Sequence, residues 1–177
     1  MEKKTAFIGH RNVFFAQVKG RLQAAVERQI ASGCKVFTMG THGEFDEMAL
    51  SACRAARAIH PDIRIEVVLT SYHIIEKKDE EGHAPYRDVD TVMYETEELH
   101  FKRRIAAANE KMIDGCDALI CYVNEKKTPS GARSVMNYAK RKGLMIVNLF
   151  DETDDPMFGM TAEEKEEYRK AIFSKKD

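Results

Sequence analysis

The sequence carries almost no net charge, because 28 lysine and arginine residues nearly balance 29 aspartate and glutamate residues. A protein that neutralises many nucleic-acid phosphates usually carries a basic excess or patch, so nucleic acid is disfavoured as the main partner. The sequence also lacks an apolar run of the ~20 residues that a membrane-spanning helix requires. Its first residues show no apolar stretch of the signal-peptide kind. These absences predict a cytoplasmic protein with no membrane partner.

Cysteine is scarce, and none of the four cysteines stands in a C-x-x-C pair. Each lies in an apolar context, which predicts buried thiols that pack as small hydrophobic side chains; they are Cys34, Cys53, Cys116 and Cys121. Metal-binding patterns are also missing, since there is no H-E-x-x-H motif and no pair of histidines four residues apart. His10, His42 and Asp46 could gather near one another, but their spacing does not predict a metal site.

What the sequence does contain is a regular alternation of strand-like and helical segments. Short apolar runs predict five strands, at residues 5–9, 34–40, 63–69, 118–123 and 144–150. Apolar residues recur at helical spacing on a first helix at Phe14, Val18, Leu22, Val26 and Ile30, and on a second at Met48, Ala52, Cys53, Ala56 and Ile59. Further helices are predicted over residues 97–113 and 131–142. Gly33 and Gly143 are positioned to end the helices before them.

This alternation predicts an α/β fold: a Rossmann-like, doubly wound, mainly parallel five-stranded sheet with helices on both faces. The expected strand order is 3-2-1-4-5. Residues 1–150 are expected to form one domain of this kind, since 177 residues suit a single domain. Residues 70–96 interrupt the pattern as a long excursion, with a short strand or helical turn near 89–94. Residues 151–177 form a tail of the same domain, whose short helix begins at the capping-box pair Thr161 and Glu164.

Ligands of such sheets bind outside the carboxyl ends of the strands, where the strand order reverses. Strands 1, 2 and 4 surround that point, so the residues that follow them are the candidate ligand-binding residues. They are Gly9, His10 and Arg11 after strand 1, Gly40, Gly43, Glu44 and Asp46 after strand 2, and Pro129, Ser130 and Gly131 after strand 4.

Each of these residue types suits part of a nucleotide. The amides of Ser130 and Gly131 at a helix N-terminus suit a phosphate, and the Arg11 guanidinium offers paired donors to the same group. Glu44 and Asp46 can accept hydrogen bonds from ribose hydroxyls. The glycines admit a ligand close to the backbone and permit a positive φ. Structural alternatives remain open: turn glycines, a helix N-cap at Asp46 or Ser130, and a surface arginine at position 11.

Four segments together resemble a known family: "TAFIGHR" at residues 5–11, "GTHGEFDEMAL" at 40–50, "NEKMIDGCDALICYV" at 109–123 and "TPSGARSVMNYAKRKG" at 128–143. They are similar to the YpsA-like branch of the SLOG superfamily, which unites the SMF/DprA proteins with the Lonely-guy (LOG) phosphoribohydrolases. The similarity spans residues 5–150. It implies a Rossmann-like fold that binds a nucleotide or nucleotide-derived ligand in the crevice, with no further cofactor required. It also implies a homodimer or higher homo-oligomer.

The LOG enzymes, which release a free base from a nucleoside monophosphate, carry the signature P-G-G-x-G-T-x-x-E and an upstream R-K-x-x-M motif. When these motifs are aligned with the chain, Asn137 occupies the position of the glutamate and Ala108 the position of the arginine. An amide cannot act as a carboxylate base, and the loss of general acid–base help costs ~10²–10⁴-fold in rate. The sequence therefore favours a ligand-binding protein for sensing or signalling, in which Asn109 orients the ligand.

Two other functions remain open at this stage. The first is an enzyme on the same site, a nucleotide N-glycosidase or related hydrolase, in which Glu44 with Arg104 or Arg133 replaces the missing pair. The second is an interaction module whose crevice no longer holds a ligand. Turnover separates the first from a binding protein, and the absence of any nucleotide-dependent stabilisation identifies the second.

Overall fold

A computed structural model describes residues 2–13, 15–71, 85–96 and 98–173 of the chain. The strands are β1 (Lys3–Gly9), β2 (Cys34–Met39), β3 (Arg64–Leu69), β4 (Asp90–Met93), β5 (Ala118–Tyr122) and β6 (Met145–Asn148). The helices are α1 (Phe15–Ala31), α2 (Glu44–Ile59), α3 (Phe101–Asp114), α4 (Gly131–Lys142) and α5 (Ala162–Phe173), with a short 3-10 helix at Glu152–Asp154. No helix within these described ranges is long and apolar enough to cross a membrane.

The strands form one parallel sheet in the order β4-β3-β2-β1-β5-β6. The predicted α/β class is confirmed, and the five expected strands stand in the expected order. The sheet nevertheless has six strands rather than five, because Asp90–Met93 adds β4 beside β3. This edge strand has only four residues, the first two of them exposed, so it lacks the buried apolar run of the central strands. The rest of the expected excursion, residues 72–84, lies outside the described residues.

Two apolar layers cover the two faces of the sheet. One lies beneath α1 and α2 and contains the fully buried Phe7 and Phe45. The other lies beneath α3 and α4 and contains Met112 and Met136. In β1 the neighbours Ala6 and Phe7 belong to opposite layers, because successive side chains of a strand alternate between its faces. Burial on both faces explains why the central strands are continuous apolar runs in the sequence.

The predicted helix ends are confirmed by backbone geometry. Gly33 and Gly143 follow α1 and α4 with φ of 90° and 80°, the left-handed region that favours glycine. At the start of α5, the Thr161 amide donates to Glu164 Oε2 over 2.7 Å, and the Glu164 amide donates to Thr161 Oγ1 over 3.3 Å. Ile59, expected on the apolar side of the second helix, is the last residue of α2 and is 73% exposed. Phe14, expected on the first helix, lies outside the described residues.

The four cysteines are free thiols, and the predicted burial is confirmed for three of them. Cys34, Cys53 and Cys121 are buried, and Cys116 is half-buried. Burial raises the pKa of both Cys116 and Cys121 to about 12. These thiols therefore stay protonated near neutral pH and are poor nucleophiles.

A buried carboxylate fixes the segment after β6 to the sheet. Asp154, in the 3-10 helix, is 3% exposed and forms a salt bridge with Arg21 of α1 over 2.5 Å. The hydroxyl of Tyr122, the last residue of β5, donates to the same carboxylate over 3.2 Å. The Tyr122 ring also packs edge-on against Phe150, with ring centroids 5.4 Å apart. These contacts hold residues 150–154 beside the carboxyl end of β5.

Candidate functional site

A cleft of about 520 Å³ opens at the carboxyl ends of β1, β2 and β5. β1 lies between β2 and β5 in the sheet, so this is the point of strand-order reversal at which α/β proteins bind ligands. The cleft is bounded by the loops after these strands and by α2, α3 and α4. The lining residues are Ile8, Gly9, His10, Arg11, Asn12, His42, Asp46, Ile105, Asn109, Lys127, Pro129, Ser130, Gly131 and Ala132.

His10 is held as a neutral imidazole in the cleft wall. Its amide donates to the Tyr122 carbonyl over 3.1 Å, and its Nε2 accepts from the Asn124 amide over 2.8 Å. Because Nε2 is an acceptor, the proton of the neutral ring lies on Nδ1. Burial, and then the charge of Lys127, lower the pKa of His10. The ring therefore connects the loops after β1 and β5 while keeping an Nδ1–H donor.

The loop that carries Arg11 is fixed by the start of α2. The Glu44 amide donates to the Arg11 carbonyl over 2.9 Å, and the Glu44 carboxylate accepts from the Val13 amide over 2.7 Å. A Cβ on Gly43 would stand 2.9 Å from the Cα of Arg11, so this close approach requires glycine. Gly43 and Glu44 therefore shape the loop, while the exposed Arg11 lines the cleft.

Asp46 places a carboxyl group in the cleft from the first turn of α2. Its Oδ2 accepts from the His42 amide over 2.9 Å. A Cβ on Gly40 would stand 3.0 Å from this oxygen and 4.0 Å from Asn109 Oδ1, so glycine at position 40 leaves room for both side chains. Burial raises the pKa of Asp46 to about 6; the His42 hydrogen bond opposes this rise and the charge of Glu47 adds to it.

His42 forms the adjoining part of this wall. Its Nε2 lies 2.8 Å from Oγ1 of Thr70, the residue after β3. Burial, and then the charge of Arg11, lower the pKa of His42. The ring is therefore neutral at physiological pH and brings no positive charge to the side of the cleft that holds Asp46.

The N-terminus of α4 forms the opposite wall. Ser130 is its N-cap, with a side chain that accepts from the Arg133 amide over 3.2 Å. Gly131 and Ala132, in the first turn, line the cleft together with Lys127. First-turn amides and the helix dipole favour a bound anion. A Cβ on Gly131 would meet no atom within 4 Å, so the space beside this turn is open.

The two sides of the cleft differ in charge. Lys127 and the first turn of α4 follow β5, whereas Asp46 follows β2. β1 separates β2 from β5, so the strands from which the two sides arise lie two inter-strand spacings, about 10 Å, apart. Arg11, on the loop after β1, stands between them. The cleft thus offers an anion site on the β5 side and hydrogen-bond acceptors on the β2 side.

The structure brings most of the predicted binding residues to this one cleft, namely Gly9, His10, Arg11, Asp46, Asn109, Pro129, Ser130 and Gly131. It places three others elsewhere. Gly40 lies behind Asp46, while Gly43 and Glu44 lie outside the lining, where they support the Arg11 loop.

Close packing, rather than backbone freedom, explains three glycines of the site, Gly9, Gly40 and Gly43. None of Gly40, Gly43 and Gly131 adopts the positive φ that glycine permits. A Cβ on Gly9 would overlap the ring of Phe45, so glycine at this position lets α2 pack closely against β1. These requirements exist whether or not a ligand is bound.

Sequence reasoning missed several lining residues that neighbour the predicted ones. Asn12 directly follows Arg11, Lys127 directly precedes the 128–131 segment, and His42, considered only as a metal ligand, lies between two predicted glycines. Including every residue of each post-strand loop would have found all three. Ile105 lies four residues before Asn109 on α3 and shares its helix face, so the i, i+4 spacing would have indicated it.

The residues considered for catalysis do not meet in the cleft. Arg104 donates to the Thr70 carbonyl over 3.5 Å, and neither it nor Arg133 is part of the lining described above. Ala108 is buried in the core, with 1% of its surface exposed. Asn137 also lies outside the lining. The described lining therefore contains neither the positions matched to the LOG motifs nor the suggested replacements.

The histidines and Asp46 do gather, since His10, His42 and Asp46 all line the cleft. Within the described ranges, however, no group of three histidine, cysteine, aspartate or glutamate residues is arranged to hold a metal ion.

No protein-family model and no curated protein matches the chain. What the protein does is therefore inferred from the cleft and its motifs.

Proposed function

We propose that the cleft binds a nucleotide or nucleotide-derived ligand and that the protein acts in sensing or signalling through that ligand. The observation that supports this best is the meeting of an anion site, at Lys127 and the first turn of α4, with the acceptor group of Asp46 in one cleft. A phosphorylated ribose carries the complementary anion and hydroxyl donors. On the resemblance of its motifs, we also propose that the chain belongs to the YpsA-like branch of the SLOG superfamily.

The phosphate of the ligand would bind at the start of α4. Backbone amides of a first helical turn point along the helix axis toward such a group, and the helix dipole favours its charge. Lys127 and Arg11 add positive charge to the same cleft, and the Arg11 fork can pair with two phosphate oxygens. The cleft volume of about 520 Å³ lies within the about 300–1,000 Å³ that is usual for small-molecule sites.

The ribose would lie toward β2, where Asp46 and Asn109 flank Gly40. An ionised carboxylate accepts hydrogen bonds from hydroxyl groups, and the Asn109 carboxamide can both donate and accept. Of the two acidic residues expected to contact ribose, only Asp46 lines the cleft, because Glu44 is bonded to the Val13 amide. This part of the proposal therefore rests on Asp46.

A nucleotide N-glycosidase or related hydrolase is the second candidate, and one observation favours it. Asp46 is a cleft carboxyl whose pKa burial raises to about 6, and general acid–base catalysis works best with a pKa near the operating pH. In this alternative Asp46 takes the acid–base role that the sequence assigned to Glu44 with Arg104 or Arg133.

A ligand-observed proton NMR time course separates the two functions. The purified protein is mixed in turn with AMP, GMP, CMP, ADP-ribose, NAD and cyclic dinucleotides. Saturation transfer to a ligand whose spectrum stays unchanged over hours is the result expected of a binding protein. Growth of free-base or ribose-phosphate signals, abolished in Asp46→Asn, would instead establish the hydrolase. Neither transfer nor turnover with any member of the panel would overturn both.

We propose a homodimer or higher homo-oligomer, and edge strand β6 supports this. Within the described residues β6 pairs only with β5, so its outer edge presents backbone groups that another chain can pair with. Met145 on this strand is 52% exposed. Light scattering is expected to give a multiple of the monomer mass, and Met145→Lys to reduce it to the monomer. An unchanged mass in that variant would place the interface elsewhere.

A further inference from the structure

We infer that Asp46 selects among phosphorylated ligands: the cleft admits 5′-phosphorylated ribose compounds whose 2′- and 3′-hydroxyls are free and rejects those with a second phosphate there. This inference rests on the proposed function and narrows its ligand class. Asp46 is the one acidic residue among the described lining residues. Its charge is therefore the feature that distinguishes the β2 side of the cleft from the β5 side.

No cation neutralises Asp46 within the part of the chain that the structure describes. Its hydrogen bond comes from the His42 amide, over 2.9 Å, and the His42 ring is kept neutral by burial and by Arg11, which lower its pKa. The charge of Glu47 on the same helix also acts on Asp46. Tyr86, before β4, is a further neighbour, whose pKa is raised by burial and then by the charges of Glu47 and Asp46. The groups that bond to or act on the Asp46 carboxylate are thus acidic or neutral, whereas the cations of the lining, Arg11 and Lys127, follow β1 and β5.

The spacing of the cleft suits one phosphate and one sugar. The anion site at α4 follows β5 and Asp46 follows β2, and these strands lie on opposite sides of β1, about 10 Å apart by two strand spacings. With the 5′-phosphate at the first turn of α4, the far edge of the ribose, which carries the 2′- and 3′-hydroxyls, faces the β2 side. Gly40 leaves the room there that Asp46 and Asn109 share.

The chemistry of a carboxylate decides what fits on that side. An ionised carboxylate only accepts hydrogen bonds, so it is satisfied by hydroxyl donors. A phosphate monoester at neutral pH carries about −1.5 to −2 charges, so a second phosphate would face the carboxylate with like charge in a partly desolvated site. Such juxtapositions suppress the wrong partner by more than about tenfold in affinity. Selection here acts by repulsion as well as by fit.

Isothermal titration calorimetry at about pH 8, where Asp46 is ionised, tests the inference. The three probes are AMP, adenosine 2′,5′-bisphosphate and adenosine 3′,5′-bisphosphate. Wild-type protein is expected to bind AMP at least about tenfold more tightly than either bisphosphate. Asp46→Asn, which keeps the shape and removes the charge, is expected to bring all three affinities to within about threefold. Glu47→Gln, the adjacent acid outside the cleft lining, is the matched control and is expected to preserve the wild-type ratio.

The possible failures are distinguishable. If AMP and a bisphosphate bind the wild-type protein equally, the inference is wrong while the proposed function stands, and Arg11 would be the group that neutralises the second phosphate. Retention of the ratio in Asp46→Asn would also sink the inference. If none of the three probes binds, adenine nucleotide binding fails together with the inference. The wild-type ratio needs no variant, so poor folding of Asp46→Asn would not leave the question undecided.

Discussion

The backbone amide of Asn124 donates a 2.8 Å hydrogen bond to Nε2 of His10, so one imidazole ring connects the loop after β1 to the loop after β5. This bond requires a neutral ring, because a protonated imidazole has no acceptor nitrogen. The two loops bound the same cleft. The geometry of the cleft is therefore linked to the protonation state of His10.

Replacing His10 with alanine is expected to lower the free energy of unfolding by about 1–3 kcal/mol, because the half-buried Asn124 amide loses its acceptor. Urea denaturation at about pH 8 measures this. His100→Ala is the control, since His100 is exposed and caps α3 without a side-chain hydrogen bond; its effect should stay within about 0.5 kcal/mol. Equal losses in the two variants would contradict a specific role of the His10 ring.

The free energy of unfolding should decrease as the pH is lowered, because of the same His10 ring. The pKa of His10 is lowered from 6.5 on folding by burial and by Lys127, so the folded protein favours the neutral ring. Its contribution is present above pH 6.5 and is lost as the pH falls through the lower folded-state value. The measurement is the difference in unfolding free energy between wild type and His10→Gln from about pH 8 to pH 5. If the unfolding free energy of the wild type does not decrease relative to that of His10→Gln as the pH falls, the prediction is refuted.

Asp46→Asn should stabilise the protein at neutral pH while weakening its selectivity. Burial raises the Asp46 pKa from 3.8 to about 6, so the folded state favours the protonated carboxyl. That contribution is present below pH 3.8 and is lost as the pH rises through about 6. Removing the charge should therefore add about 2 to 3 kcal/mol at pH 7.5.

The same comparison at pH 4 should show almost no gain from Asp46→Asn, because Asp46 itself is then protonated in the folded state. Thermal or urea unfolding at the two pH values gives both numbers. His42, Glu47 and Tyr86 surround the group and are unchanged in the variant, so their own titration largely cancels. An equal gain at both pH values would show that the carboxyl is not strained by burial.

Gly131→Asp should weaken phosphate binding without unfolding the protein. A side chain at this position meets no atom within 4 Å, and an added carboxylate in the first turn of α4 would repel an anion there. Binding of AMP is expected to weaken at least about tenfold. Gly20→Asp is the matched control, because Gly20 is exposed on α1, equally free of contacts and outside the described cleft lining. Unchanged AMP affinity in Gly131→Asp would remove α4 from the binding site.

Arg21→Met should destabilise the fold because it leaves the Asp154 carboxylate buried without its cation. Breaking a fully buried pair costs about 3–5 kcal/mol; Arg21 is 36% exposed, so about 2 kcal/mol is expected. Arg28→Met on the exposed side of α1 is the comparison and should change stability by less than about 0.5 kcal/mol. Equal small effects would mean that water reaches Asp154 once Arg21 is removed.

The fold could be predicted from the sequence because its main elements repeat simple patterns. A doubly buried parallel strand must be apolar throughout, as β1 and β5 are, and glycines in the left-handed region end α1 and α4. Strand β4 was predicted only as a short strand or helical turn, because it lies at the sheet edge. Its residues Asp90 and Thr91 face solvent, so no apolar run marks it.

For the candidate site, the sequence predicted which loops take part but not which of their side chains face the cleft. Glu44 and Asp46 suit a ribose equally well by residue type, yet two positions on a helix point about 200° apart, so they cannot face the same cleft. Which of the two faces inward depends on how α2 packs, and that packing is set by contacts such as the one between Gly9 and Phe45. Tertiary contacts of this kind leave no signal in residue type or spacing.

The central position of β1 determines how the floor of the cleft can open. β1 is bonded on both edges, to β2 and β5, and is covered on both faces. The amides of its buried residues 5–8 therefore have no route to solvent short of unfolding the whole domain, and their hydrogen exchange should report the global free energy of unfolding. The lifetime of the cleft floor is then the lifetime of the fold itself, whereas the walls can fluctuate on the much shorter timescales of loops.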